Sequence, residues 1–265
     1  MKTATLMSGL AVFGVLVAVP AFAAEDEFGY SAADEHYDAE EMAAARRALK
    51  HETGGQTNFM LMGDRLEYRS NEGEPVLLWD MQGWFGGDID KVTVKTEGEY
   101  LLDQDQAEGV EVQALYTRTI SSYFDVQAGV RHDFRPHPTR SFAVLGVQGL
   151  APYWFEVDGA AFLSEDGDLS ARFEAEYELL LTQRLILQPR AEFDFSVQDV
   201  PELGIGSGLS TVETGLRLRY EVVREFAPYI GVSWESAVGE TADIARASGE
   251  DVGAVSLVTG IRLWF

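Results

Sequence analysis

Soft donor atoms are few in this chain. Among its 265 residues are four histidines, six methionines and no cysteine. Thioether sulfur suits soft metal ions, imidazole suits soft and borderline ones, and carboxylates select hard cations. The candidate metal ligands are His36, Met42 and His51 near the N-terminus, and Met60, Met62 and Met81 further along. A second set is acidic: Glu97, Glu99, Glu174, Glu176, Glu192, Asp194 and Glu213. Such groups would attract cations if they lined an enclosed channel. A third is His132 with Ser141, the residue types of a catalytic base and its nucleophile. Which of these can act together depends on the elements that carry them.

The first 23 residues read as a leader and not as part of the fold. Lys2 supplies a positive start, an apolar run covers Leu10 to Val19, and Ala21-Phe22-Ala23 is an A-x-A cleavage site. The run is short for a membrane-spanning helix, and no later apolar stretch approaches the required length. The formal net charge is −24. So acidic a chain is a poor match to phosphate backbones, so no nucleic-acid partner is expected. An exported chain without disulfides needs another source of rigidity, and a closed hydrogen-bonded barrel provides one.

Residues 24–56 are rich in Ala, Glu and Asp, with a helix expected near 40–50. They read as a short periplasmic N-terminal arm. From Thr57 the pattern has period two. Leu169, Ala171, Phe173, Ala175, Tyr177, Leu179 and Leu181 alternate with Ser170, Arg172, Glu174, Glu176, Glu178 and Thr182. The stretch from Leu185 to Val197 repeats the rule. A strand puts successive side chains on opposite faces, so each such segment lies between an apolar and a polar medium. Many of these segments are about twice the length of an ordinary strand, as a tilted membrane crossing requires.

Twelve strands are expected, near 57–69, 74–84, 90–102, 107–118, 121–134, 140–149, 151–164, 168–181, 184–198, 209–223, 225–237 and 252–265. The fold class is therefore all-β, a 12-stranded antiparallel transmembrane β-barrel over 57–265 in contact with outer-membrane lipid. The longest links, Gln198 to Gly208 and Val238 to Asp251, are odd-numbered, and the shortest are even-numbered. Short periplasmic turns and longer outer loops are the usual asymmetry. The closing Trp264-Phe265, after an alternating strand, resembles the signal read by the barrel-assembly machinery. Trp79, Tyr123, Tyr153, Trp154, Tyr229 and Trp234 sit where interfacial aromatic belts would lie.

Parity sorts the candidate ligands. His132 and His137 flank the fifth link, on the outer side. Met60, Met62 and Met81 fall near the periplasmic mouth. A cluster drawn from those three with His36, Met42 and His51 is geometrically open; one that also includes His132 is not expected. Met60 and Met62 share parity with Leu66 and Tyr68, and Met81 with Leu77 and Trp79, so simple alternation turns all three to lipid. The inward carboxylates share their faces with Arg172, Arg190, Arg217 and Arg219, which reads as a salt-bridged plug.

Several runs resemble the copper resistance protein B family. They include 146–157, GVQGLAPYWFEV; 176–190, EYELLLTQRLILQPR; 202–209, ELGIGSGL; and 219–232, RYEVVREFAPYIGV. Trp79-Asp80 with Gln82-Gly83-Trp84, and 95–99, KTEGE, extend the match over about 57–265. With nothing beyond His132 and Ser141 to suggest a triad, no enzymatic activity is expected, and the resemblance implies an outer-membrane protein. It would bind or pass copper, Cu(I) or Cu(II), in support of copper tolerance, with a periplasmic copper oxidase or carrier as partner. Members often carry a long Met- and His-rich segment before the barrel. Here 24–56 hold only His36, Met42 and His51, so the resemblance does not extend to high-capacity binding by the arm. The other functional readings are a general or cation-selective pore and an outer-membrane lipase built on His132 and Ser141.

Overall fold

The computed structural model describes residues 32–53, 56–71 and 74–265. The expected leader, 1–23, lies outside them. The chain divides into two compact units between Gly54 and Gly55. In the first, a 3-10 turn over Ala32–Glu35 precedes helix α1, Ala39–Thr53. Glu40 and Glu41 in its first turn favour the positive end of the helix dipole, and Arg46 reaches back to Asp34.

The second unit is a closed antiparallel barrel. Its strands are β1 Asn58–Arg69, β2 Val76–Gly86, β3 Asp90–Leu101, β4 Gln106–Thr119, β5 Phe124–Asp133 and β6 Arg140–Ala151. They continue as β7 Phe155–Ser164, β8 Leu169–Glu176 with a short extension Leu179–Leu180, β9 Leu185–Ser196, β10 Gly208–Tyr220, β11 Phe226–Ala237 and β12 Gly253–Trp264. Each strand pairs with its neighbours in sequence, and β1 pairs with β12 to close the ring. Closure leaves no strand edge unpaired, the condition for a sheet to sit in hydrocarbon.

The two faces sort as alternation demands. Leu145, Ile230 and Leu257 are more than 60% exposed on the outer wall, an apolar surface far larger than a water-soluble monomer would show. Arg65, Glu67, Arg190, Arg217 and Arg219 are buried inside. Three details differ from the sequence expectation. The ladder of β1 slips between Gly63 and Arg65, and this bulge turns both Asp64 and Arg65 inward. Tyr229 is not part of an interfacial belt: it is 5% exposed and points into the barrel beside Ala227. The eighth strand is not continuous but breaks at Tyr177 and Glu178.

The long eleventh link is ordered. It forms helix α2, Gly239–Ser248, which ends on Gly249 in the left-handed region at φ 81°. There the Gly249 and Glu250 amides take up the last carbonyls. α2 lies against the ninth link. The Gly206 amide donates to Thr241 Oγ1 at 2.9 Å, and Ser207 Oγ donates to Glu240 at 2.6 Å. Arg140, at the start of β6, holds Asp168 and Glu202 at 2.7 Å each. The loop end of the barrel is thereby tied across three links.

Candidate metal-handling site in the barrel lumen

The interior is a lattice of ion pairs. Arg190 donates to Glu174 at 2.9 and 2.8 Å, lies 3.2 Å from Glu176 and 3.4 Å from Glu213, and also bonds Glu192. Arg65 bridges Glu97 at 2.9 Å and Asp80 at 3.1 Å. Arg172 holds Glu97 at 2.9 Å, Asp194 at 3.1 Å, Glu111 at 3.3 Å and Glu192 at 3.4 Å. Arg69 takes Glu213 at 2.7 Å and lies 3.7 Å from Glu99. Glu67, fully buried, receives Arg217 at 2.7 and 3.0 Å and Arg69 at 2.9 Å. All seven acidic candidates therefore face inward, each beside a guanidinium. Buried charges need such partners, because an unpaired one would be costly to desolvate.

One wall is different. Leu115, Val144 and Phe162 are buried together with Phe142 against them, inside the barrel and not on its lipid face. Arg131 lies over Phe142 and Phe162 at 5.3 and 4.8 Å while pairing with Glu111 at 2.7 Å. Alternation could not reveal this patch, because the run from Phe142 to Val147 is apolar at nearly every position. Both faces of that strand read the same.

Two chambers open toward the end where β1 begins and β12 finishes. The inner one, about 390 Å³, is lined by eight carboxylates against three cations, Lys95, Arg172 and Arg262. The outer one, about 360 Å³, is lined by Met60, Met62, Trp264 and the polar side chains of Glu178, Arg219, Glu221, Arg224 and Arg262. The bulge in β1 thus corrects the lipid-facing assignment of two methionines. Phe59 and Leu61 are exposed on the outer wall at 71% and 45%, and Met60 and Met62 point inward. The sequence held a signal for this. Asp64 and Arg65 are adjacent charges in an alternating strand, just after a glycine, a frequent mark of a bulge. Met81 pairs with Gly63 between the inward Asp80 and Gln82, so it faces out and leaves the cluster.

The remaining candidates belong to the first unit. Met42 and His51 are nine residues apart on α1, which separates them by about 13 Å along the axis on opposite faces; they cannot share an ion within that helix. His36 is exposed in the turn before it. Among the described residues, no three His, Asp or Glu side chains converge as a metal cage. The soft donors facing the lumen at this end are Met60 and Met62.

A family model described as Copper resistance protein B precursor matches residues 57–265. The chain belongs to the copper resistance protein B family. Curated relatives agree. A copper resistance protein B homolog of Pseudomonas syringae pv. tomato is 47% identical over 208 residues, covering 78% of this chain and 70% of the relative. Copper resistance protein B of Escherichia coli is 43% identical over the same length and shares. Among solved structures, the NanC porin aligns with a TM-score of 0.50 at 12% identity, over 78% of this chain and 99% of that one. It shares the outer-membrane barrel fold. In this copper resistance B chain, the lumenal thioethers of Met60 and Met62 stand at a mouth backed by an acidic chamber.

The lipase reading has one real contact behind it. His132 Nδ1 and Ser141 Oγ lie 3.0 Å apart across the β5–β6 pair. The His132 ring stacks edge-on against Phe134 at 4.6 Å. Yet the nearby amides of Phe134 and Arg135 are spent on Val110, and no described group orients the far ring nitrogen. An acyl transfer site needs free amide donors for the oxyanion and an oriented base. We expect His132→Ala to leave ester hydrolysis by the purified protein at the buffer background and to cost about 1 kcal/mol for the lost hydrogen bond. Titration of a long-chain ester and unfolding in detergent read the two quantities.

Proposed function

We propose that this protein is an outer-membrane copper-binding barrel that supports copper tolerance by taking the ion in at its methionine-lined mouth. The observation that carries the reading is the β1 bulge, which turns two thioethers into the lumen of a chain from a copper resistance family. Thioethers select soft ions, and the excess of carboxylates behind them stabilises any cation that advances. Residues 24–56 would form a periplasmic arm, delivered after removal of the leader, and the mouth where β1 begins would then face the periplasm. A periplasmic copper carrier or oxidase is the partner that would meet it there.

A general pore is the second reading, favoured by the porin fold. Against it stands the lattice of paired arginines across the lumen. Full-length protein in detergent, titrated anaerobically with Cu(I) against a chromogenic chelator, should take up at least one ion. Binding should weaken in Met60→Leu and Met62→Leu and stay unchanged in Met81→Leu. In planar bilayers it should not show porin-like steps. Absence of Cu(I) uptake together with open-channel currents would replace the copper reading with the pore.

A further inference from the structure

Met62 and Arg262 line both chambers, so their contact is the partition between them. Arg262 Nη2 points at Met62 Sδ at 3.7 Å. The same guanidinium is anchored on its other edges, with Nε 2.8 Å from Asp64 and Nη1 2.8 Å from Glu178. Glu178 also receives Arg219. A thioether is a weak acceptor, so it is the most weakly held of the three partners. The guanidinium can give it up and keep both carboxylates.

We infer that Met62 and Arg262 form a gate selective for soft monovalent metal ions such as Cu(I) or Ag(I). The inference rests on the copper reading above and names the step that makes it selective. With the contact made, one of the two sulfur lone pairs is engaged and a cation stands between mouth and inner chamber. A soft ion reaching Met60 and Met62 competes for that lone pair, and the sulfur exchanges a weak hydrogen bond for a coordinate bond. Arg262 then stays on Asp64 and Glu178 with its third edge released, which opens the partition onto a chamber where carboxylates outnumber cations. Sodium, potassium and calcium prefer oxygen ligands and gain nothing from sulfur, so they meet the guanidinium unmoved. Anions that pass it face the carboxylates. Met60, on the same face two residues nearer the mouth, is the first contact for an incoming ion.

The test uses full-length protein, folded in detergent and reconstituted in liposomes, with two readouts: Cu(I) affinity by chelator competition, and potassium leak in the absence of copper. In Met62→Leu, affinity should fall about tenfold or more, the scale of one lost ligand interaction. In Arg262→Gln, affinity should rise about tenfold, with a clear increase in potassium leak. Arg262→Lys keeps the charge but cannot span three partners. It should tighten Cu(I) binding without leak, and it decides the matter if the Gln variant does not fold. Met81→Leu should match wild type in both. Unchanged affinity in both Arg262 variants overturns the gate and leaves the copper reading standing, whereas wild-type affinity in Met62→Leu overturns the gate and the methionine mouth together. Failure of the wild-type protein to bind Cu(I) overturns both.

Discussion

Arg190→Ala is expected to destabilise the barrel by roughly 3–5 kcal/mol, the range for removing one partner from a buried ion pair. Arg190 is 4% exposed and faces Glu174, Glu176, Glu192 and Glu213, which come from β8, β9 and β10. Its loss leaves those carboxylates close together without their shared counter-charge. Deleting one acid as well does not restore the balance, so Arg190→Ala with Glu174→Ala should recover only part of the loss. Arg190→Lys retains charge but not the two-pronged contact with Glu174, and should fall between. Urea unfolding in detergent, read by the heat-dependent gel mobility of folded barrels, measures all three. Near-wild-type stability of Arg190→Ala would show that water enters the lattice freely and that its ion pairs are not desolvated.

Phe162→Ala should cost about 3–5 kcal/mol by a different mechanism, the loss of a packed aromatic side chain and the cavity left behind. Phe162 is 3% exposed and meets Phe142 edge-on at 6.4 Å, with Leu115 and Val144 beside it and Arg131 above. Removal also frees the Arg131 guanidinium from one of its two rings. Water-filled volume inside the barrel should therefore grow, and ion leak through liposomes should rise along with the instability. Phe162→Leu keeps most of the volume and should cost about 1 kcal/mol. If the alanine variant is as stable as wild type, the apolar wall has collapsed into the space, and the leak should then be unchanged.

The barrel was legible because most strands separate two media cleanly. In β8 and β9 nearly every odd residue is apolar and nearly every even one polar between Leu169 and Val197, and no helical winding reproduces that. The strand count and the asymmetry of the links followed from the same pattern. What alternation misplaced lies where the pattern itself changes. The bulge at Asp64 and Arg65 inverts the parity of everything before it in β1, so Met60 and Met62 were assigned to the wrong side. Met81, one strand over with no such slip, keeps the outward parity that counting gives it and so falls out of the candidate ligands. The lumenal wall of Leu115, Val144 and Phe162 was hidden because apolar residues on both faces carry no direction. Helix α2 was missed because link length was read without its content. Ala242, Ala245 and Ala247 sit in a segment that closes on Gly249, a helix and its stop.

The break in β8 has a cause in the next strand. Tyr177 donates its amide to Pro189 at 3.1 Å, and proline has no N–H to return. One rung of the ladder is missing there. A ring closed by hydrogen bonds resists distortion evenly only if every rung is present, so strain applied at this end gathers at one corner. That corner carries Glu178, the carboxylate that Arg219 and Arg262 share. The aperture should therefore widen by hinging beside Pro189 and not by uniform dilation, and the anchor of the Met62 partition would move with the hinge.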